Sequence, residues 1–140
     1  MPDSLKNLLS LIGRLLFALM FLPAGWGKLT SFAGSVAYTA SGGMPIPEVA
    51  TAVALTVEII GSLALIFGFG ARWVALILAF FTLTASFFYH KYWAVPADQV
   101  MVTQLLFFKN MAIVGGLLTL AAWGAGAWSL DAKRDHRVAS

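Results

Sequence analysis

The chain has 140 residues, of which 60% are hydrophobic and only 11% are charged. A water-soluble domain normally carries about a quarter charged residues, so this composition predicts a membrane protein. The formal net charge of +3 is too small and too dispersed to indicate nucleic-acid binding, and we expect no nucleic-acid partner. The absence of cysteine excludes disulfides, thiol redox chemistry, thiolate-ligated zinc and cysteine-held iron–sulfur clusters within these residues.

The first apolar segment covers residues 5–25 and has two interpretations. Lys6 before the apolar run and Pro23-Ala24-Gly25 after it are typical of a signal peptide. However, the basic region is weak, Arg14 interrupts the run, and the aromatic and basic residues of segment 26–28 follow it. We therefore expect a retained membrane helix.

Three further segments, 47–67, 71–89 and 100–123, have the length of about 20 residues that crosses a bilayer. The glycine-rich link 68–70 predicts a tight turn between antiparallel neighbours. Residues 31–40 are predicted to form a short interfacial helix between the first and second spans. The fold class is thus an all-α membrane protein with a four-transmembrane-helix bundle. We expect a single transmembrane domain at 1–128 and a cytoplasmic polar tail at 129–140.

The distribution of basic residues predicts the orientation of the bundle. One end collects Lys6, Arg14, Arg72, Lys133, Arg134 and Arg137, and the other end has Lys28 and Lys91. Because cytoplasmic loops carry an excess of Lys and Arg, both termini are predicted to lie in the cytoplasm. The chain would then be a multi-pass membrane protein.

Ionisable residues inside predicted spans are candidates for a functional site. Glu58 lies near the middle of the second span, roughly 16 Å from the surface at Pro47, and Lys109 lies roughly 13 Å from the same surface in the fourth span, at about 1.5 Å per residue. The two opposite charges are therefore predicted to lie at similar depth. A charge at a helix centre costs roughly 2.5–3.5 kcal/mol on the insertion scale, which favours pairing. We therefore predict that Glu58 pairs with Lys109 or with Arg14.

Small and polar residues share faces with these charges, which predicts a polar seam inside the bundle. The faces are Thr51, Ala54, Glu58, Gly61 and Ser62 on the second span, Ala75, Ala79, Thr82, Ser86 and His90 on the third, and Lys109, Ala112 and Gly116 beside Gln99, Thr103 and Asn110 on the fourth. One interpretation is structural, with buried polar contacts that fix helix register. The other is a ligand site or a proton path.

His90 also has two interpretations. It is either a solvated interfacial side chain or a hydrogen-bonding group and proton acceptor for a quinone head group. The other histidine, His136, lies in the tail on the opposite side. We therefore expect no metal, haem or iron–sulfur cluster in this chain.

Several motifs in order resemble one known family. They are Pro23 to Leu29 with Phe32, Gly43 to Pro47 followed by Glu58, Gly61 and Gly68, His90 with Trp93, Phe108-Lys109-Asn110, Gly115 to Leu117 and Ser129-Leu130-Asp131. Along nearly the whole chain this pattern resembles DoxX-family membrane proteins. The resemblance implies a four-helix, multi-pass protein of a bacterial inner membrane. The family is named after a subunit of an archaeal complex that oxidises thiosulfate and passes electrons to quinone. Lys28, Glu58, His90, Lys109 and Asn110 match the family pattern by position, without implying a role for each.

These observations lead to a primary expectation and two alternatives. The primary one is a quinone-associated redox subunit that acts with a partner protein, with quinone or quinol as its cofactor. The alternatives are a non-catalytic membrane anchor of a larger complex and a small-solute permease that works as an oligomer. The ligand-binding candidates are Glu58, His90, Lys109, Asn110, Lys28 and Arg14. Whether the chain is itself an enzyme is left open, and its expected partners are membrane lipid and either another protein or further copies of the chain.

Overall fold

The computed structural model describes the backbone of residues 1–138 and the side chains of residues 1–135. Within that part of the chain all regular structure is helical. The helices are α1 (Asp3–Thr30), α2 (Phe32–Ser41), α3 (Pro47–Phe67), α4 (Ala71–Tyr89), a 3₁₀ turn (Tyr92–Ala94), α5 (Val100–Trp123) and α6 (Leu130–Val138). Four of them, α1, α3, α4 and α5, are long and apolar enough to cross a membrane. The predicted fold class and the short helix between the first two spans are confirmed.

The first helix is longer than the segment 5–25 that hydropathy marks. It runs on to Thr30, and the backbone N–H of Ser31 donates to the carbonyl of Gly27 to close its last turn. At the other end of the chain, part of the predicted polar tail is the helix α6, while residues 139–140 of that tail lie outside the described residues.

The bundle is held by close packing of small side chains between neighbouring helices. α1 packs along α3, α3 along α4, and α4 along α5. Leu65, Ala75, Leu78 and Leu117 are fully buried in the core. Gly61 of α3 faces Leu78 of α4 so closely that an added Cβ would lie 3.2 Å from the Leu78 side chain. Small residues at such contacts let membrane helices approach each other, as the predicted faces require.

Arg14 closes the end of the bundle where α1 begins. Its Nη1 donates to the carbonyls of Leu65 and Ile66 at 2.9 and 3.1 Å, and its Nη2 donates to the carbonyl of Trp128 at 2.6 Å. The last carbonyls of a helix have no partner within the helix, so this guanidinium caps α3. The carboxylate of Asp131 caps α4 from the same side, because it accepts from the backbone N–H groups of Gly70 and Ala71.

The opposite end of the bundle is covered by α2. The Thr51 hydroxyl of α3 donates to the Thr39 hydroxyl of α2 at 2.9 Å, and both side chains are buried. The ring of Tyr38 stacks on that of Tyr89 with centroids 5.1 Å apart, which joins α2 to the end of α4. Gly42 allows this arrangement, because a Cβ there would overlap the Tyr89 ring.

Candidate functional site

A cavity of about 540 Å³ lies in the half of the bundle that α2 covers. Its walls come mainly from α1, α3 and α4, and most of them are apolar. Several wall residues are also exposed on the outside of the bundle, among them Met20 of α1 (38%) and Phe80 of α4 (72%). The exposed surface of a spanning helix faces lipid, so this cavity is accessible from the bilayer.

Four of the six predicted site residues line this cavity, namely Lys28, Glu58, His90 and Asn110. The predicted face of α3 is also confirmed as inward-facing, since Thr51, Glu58, Gly61 and Ser62 are all buried. The structure does not bring Arg14 or Lys109 to the cavity. Arg14 caps α3 at the other end of the bundle, and Lys109 is exposed on the surface of α5.

Glu58 is paired with Lys28. The Lys28 Nζ lies 2.9 and 2.8 Å from the two carboxylate oxygens, and the two side chains are 27% and 6% exposed, respectively. The prediction that Glu58 pairs with Lys109 or Arg14 is wrong. The physical reason is the extra length of α1, since Lys28 belongs to that helix and its flexible four-carbon chain reaches the carboxylate.

A close approach of backbone brings this ion pair together. An added Cβ at Gly25 would lie 2.7 Å from the Ile59 side chain and 2.9 Å from Glu58 Cβ. Glycine at this position therefore lets α1 lie directly against α3 at the level of Glu58. Lys28 follows Gly25 by about one helical turn, on the same side of α1.

The depths of Glu58 and Lys109 also differ from the prediction. Gly61 faces Leu78, so Glu58 lies near the level of Thr82 in the antiparallel pair. Asn110 contacts Ser86 directly, which places its neighbour Lys109 about one turn nearer the end of α4. The two charges are therefore neither at one depth nor on facing surfaces.

On the α4 and α5 side of the cavity, polar groups form a short hydrogen-bonded chain. The Asn110 Nδ2 donates to Ser86 Oγ at 3.0 Å, and Ser86 Oγ donates to the Thr82 carbonyl at 2.7 Å. The hydroxyl of Thr82 itself is buried and has no hydrogen-bond partner within the described residues. His90 follows the last residue of α4, half-buried at the outer edge of the cavity.

Sequence reasoning missed the contribution of α2 to this site. Tyr38 and Thr39 line the cavity, as does Met44 in the segment between α2 and α3. The one available signal was Tyr38, an aromatic residue among small ones in the predicted interfacial helix. That signal identifies an interfacial position and not a contact with α4.

The site contains groups that suit an organic ligand with few polar atoms. Apolar walls with a small number of placed hydrogen-bonding groups are typical of small-molecule sites. Carboxylate and amide oxygens of Glu58 and Asn110 can accept hydrogen bonds, and Lys28 can donate them. Within the described residues there is no group of three or more His, Asp or Glu side chains placed to hold a metal ion.

A four-helix membrane protein with an ion-paired cavity open to the bilayer is the class that this fold and site define. The DoxX family model matches residues 9–91, more than half of the chain. The inner membrane protein YphA of Escherichia coli is 36% identical over 90% of both chains, and YqjF of the same organism is 40% identical over 86% of this chain and 88% of its own. A Surfeit locus protein 4 homolog of Schizosaccharomyces pombe is 28% identical over 92% of this chain, which covers 38% of that longer protein.

The chain therefore belongs to the DoxX family, which confirms the resemblance seen in its motifs. Its inner-membrane relatives and its four spanning helices together identify a multi-pass inner-membrane protein in contact with lipid. No solved structure matches it.

Proposed function

We propose that this DoxX-family protein is a quinone-binding membrane subunit that acts in redox chemistry with a partner protein. The observation that carries the proposal is the cavity itself, which is apolar, accessible from the bilayer and lined by Lys28, Glu58, His90 and Asn110. A quinone is dissolved in the bilayer and carries oxygen atoms on a flat apolar ring. The walls would hold the ring, and the polar side chains would bind the oxygens.

The size and chemistry of the cavity support this ligand class. Small-molecule sites usually occupy about 300–1,000 Å³, and this cavity of about 540 Å³ lies within that range. The Lys28–Glu58 pair offers both donors and acceptors in the interior of the membrane, where an ionised pair is expensive and is usually functional. The imidazole of His90 at the outer edge can donate or accept a further hydrogen bond.

The partner is part of the proposal because of the composition of the chain. The sequence has no cysteine, so any thiol or iron–sulfur centre that exchanges electrons with the quinone would belong to another protein.

A cavity-filling variant tests the proposal without altering the ion pair. Ala54 lines the cavity from α3, and its neighbour Ala52 on the same helix is exposed and does not line it. We expect wild-type protein purified in mild detergent to retain quinone, quantified by solvent extraction and mass spectrometry. Ala54→Phe should reduce the bound quinone about tenfold, since overpacking costs about 1–3 kcal/mol, and Ala52→Phe should leave it unchanged.

A second candidate function is the non-catalytic anchor, favoured by the free surface of α5. Only Phe107, Asn110 and Leu117 of that helix are buried, and its exposed face includes Lys109, Ala112 and Gly115. Such a face is suited to packing against a helix of another subunit. Two results together would support this candidate over the first. A protein partner would copurify in stoichiometric amount without quinone, and added quinone would not bind in a titration.

A further inference from the structure

We infer that the cavity is built to bind the reduced, hydroxyl-bearing quinol in preference to the quinone. The inference rests on the proposed function and concerns the same site. It follows from the orientation in which Ser86 holds the amide of Asn110.

The hydroxyl of Ser86 has one proton, and this proton is already donated in a hydrogen bond. It lies on the 2.7 Å hydrogen bond to the Thr82 carbonyl, one turn earlier in α4. The Ser86 oxygen can therefore only accept from Asn110, which requires the amide nitrogen, and not the amide oxygen, to face it at 3.0 Å. A buried serine thus fixes which end of the amide points toward α4.

The amide oxygen of Asn110 is left as an acceptor on this wall of the cavity. Asn110 is only 7% exposed and lines the cavity, yet its Oδ1 accepts no hydrogen bond from any described residue. The carboxylate of Glu58 adds further acceptor capacity, since each oxygen has lone pairs beyond its contact with Lys28.

The two redox forms of the ligand meet these acceptors differently. A quinone carbonyl can only accept hydrogen bonds, so a bound quinone would leave the Asn110 amide oxygen without a donor and would add none to Glu58 beyond Lys28. A quinol hydroxyl can donate to these acceptors. The ligand oxygen in either redox form can accept from Lys28, from the Thr82 hydroxyl that is unpartnered within the described residues, or from the remaining amide N–H of Asn110, so only the acceptors distinguish the two forms. A buried acceptor left without a donor costs free energy, which favours the quinol over the quinone.

The positions of the two acceptors also suit a ring with two hydroxyl groups. Glu58 lies near the level of Thr82, and Asn110 is bonded to Ser86 four residues further along α4. The two groups are therefore separated by about 6 Å along the bundle axis, at about 1.5 Å per residue. Acceptors on two different walls can each receive a hydroxyl from opposite ends of one ring.

The test compares the affinities of decylubiquinol and decylubiquinone for the purified protein by anaerobic titration calorimetry in detergent. We expect wild-type protein to bind the quinol about tenfold more tightly, which is the effect of one hydrogen bond to a buried acceptor. The dimethyl ether of the same quinol, which has the ring but no donor, should bind no better than the quinone.

Two variants test whether the quinol preference depends on the orientation of the Asn110 amide. Ser86→Ala removes the group that orients Asn110, so the ratio of the two affinities should fall toward one while the quinone still binds. Asn110→Leu should lower quinol affinity to the level of the quinone. The matched control is Ser62→Ala, which removes a buried serine with the same back-bond, to the Glu58 carbonyl at 2.6 Å, and should keep the wild-type ratio.

The possible failures are distinguishable. If neither redox form binds to the wild type, the proposed function is wrong. If both forms bind with equal affinity, the quinone site stands and the quinol preference is wrong. An undiminished affinity ratio in folded Ser86→Ala would show that the orientation of Asn110 does not cause the quinol preference. A dimethyl ether that binds as tightly as the quinol would show that the ligand hydroxyls do not cause it.

Discussion

The Lys28–Glu58 ion pair joins α1 to α3 within the apolar part of the bundle. Removing one member of a buried pair leaves the other charge uncompensated, and this cost normally exceeds the net stabilisation of the intact pair. Lys28 keeps some exposure, so its stranded charge is partly solvated.

We expect Glu58→Gln to lower the free energy of unfolding by about 2 kcal/mol, measured by thermal unfolding in detergent. Glu48→Gln, which neutralises an exposed carboxylate in the first turn of the same helix, should leave the melting curve unchanged. The double variant Lys28→Met with Glu58→Met should recover most of the loss, because no charge is then stranded. An unaltered melting temperature in Glu58→Gln would contradict the pairing.

At the scale of helices, the contact between α1 and α3 depends on Gly25. A methyl group there would meet Ile59 and Glu58 below normal contact distances, whereas a methyl group at Gly27, two residues later, would meet nothing within 4 Å. The two glycines form a matched pair in one helix.

We expect Gly25→Ala to lower the free energy of unfolding by about 1–3 kcal/mol through overpacking. Gly27→Ala should be neutral or stabilise the protein by up to about 1 kcal/mol, since alanine is the better helix former. Thermal unfolding of both variants in the same detergent measures the difference. Equal melting temperatures would show that α1 does not approach α3 at Gly25.

The end of α3 depends on Arg14. Its guanidinium makes three hydrogen bonds to backbone carbonyls and is fully buried. We expect Arg14→Met to lower the free energy of unfolding by about 3 kcal/mol, because the three hydrogen bonds from Arg14 to these carbonyls are lost. Lys6→Met, which removes an exposed cation from α1, serves as the control and should change the unfolding curve little. Quinone binding by folded Arg14→Met should persist, since Arg14 lies away from the cavity.

For the whole molecule, orientation in the membrane is a prediction from charge. The end that carries Lys6, Arg14, Arg72, Lys133 and Arg134 should face the cytoplasm, and the cavity end should face outward. Because the chain has no cysteine, single cysteines report topology cleanly. In intact spheroplasts, a membrane-impermeant maleimide should label Asp98→Cys and should label Ser4→Cys only after lysis. The reverse labelling pattern would show that the cavity end faces the cytoplasm and that the predicted orientation is wrong.

The candidate site was predictable in part. The spacing of Thr51, Ala54, Glu58 and Ser62 marks one face of a helix, and that face does contribute to the seam and the cavity. The partner of Glu58 was not predictable, because hydropathy ended the first span before Lys28. Arg14 and Lys109 are ionisable like the residues of the site, so the sequence did not distinguish them from it. Only the packing of the helices shows that Arg14 caps α3 and that Lys109 lies on the surface of α5.

The sequence by itself determined the membrane location, the four spans and the short helix between the first two. These properties are local, since each depends on a run of apolar residues long enough to cross lipid. Only the tertiary structure decided that Lys28 pairs with Glu58, that α2 covers a cavity and that Ser86 orients Asn110. Those contacts depend on the rotation and register of one helix against another, which are set by close approaches such as Gly25 against Ile59.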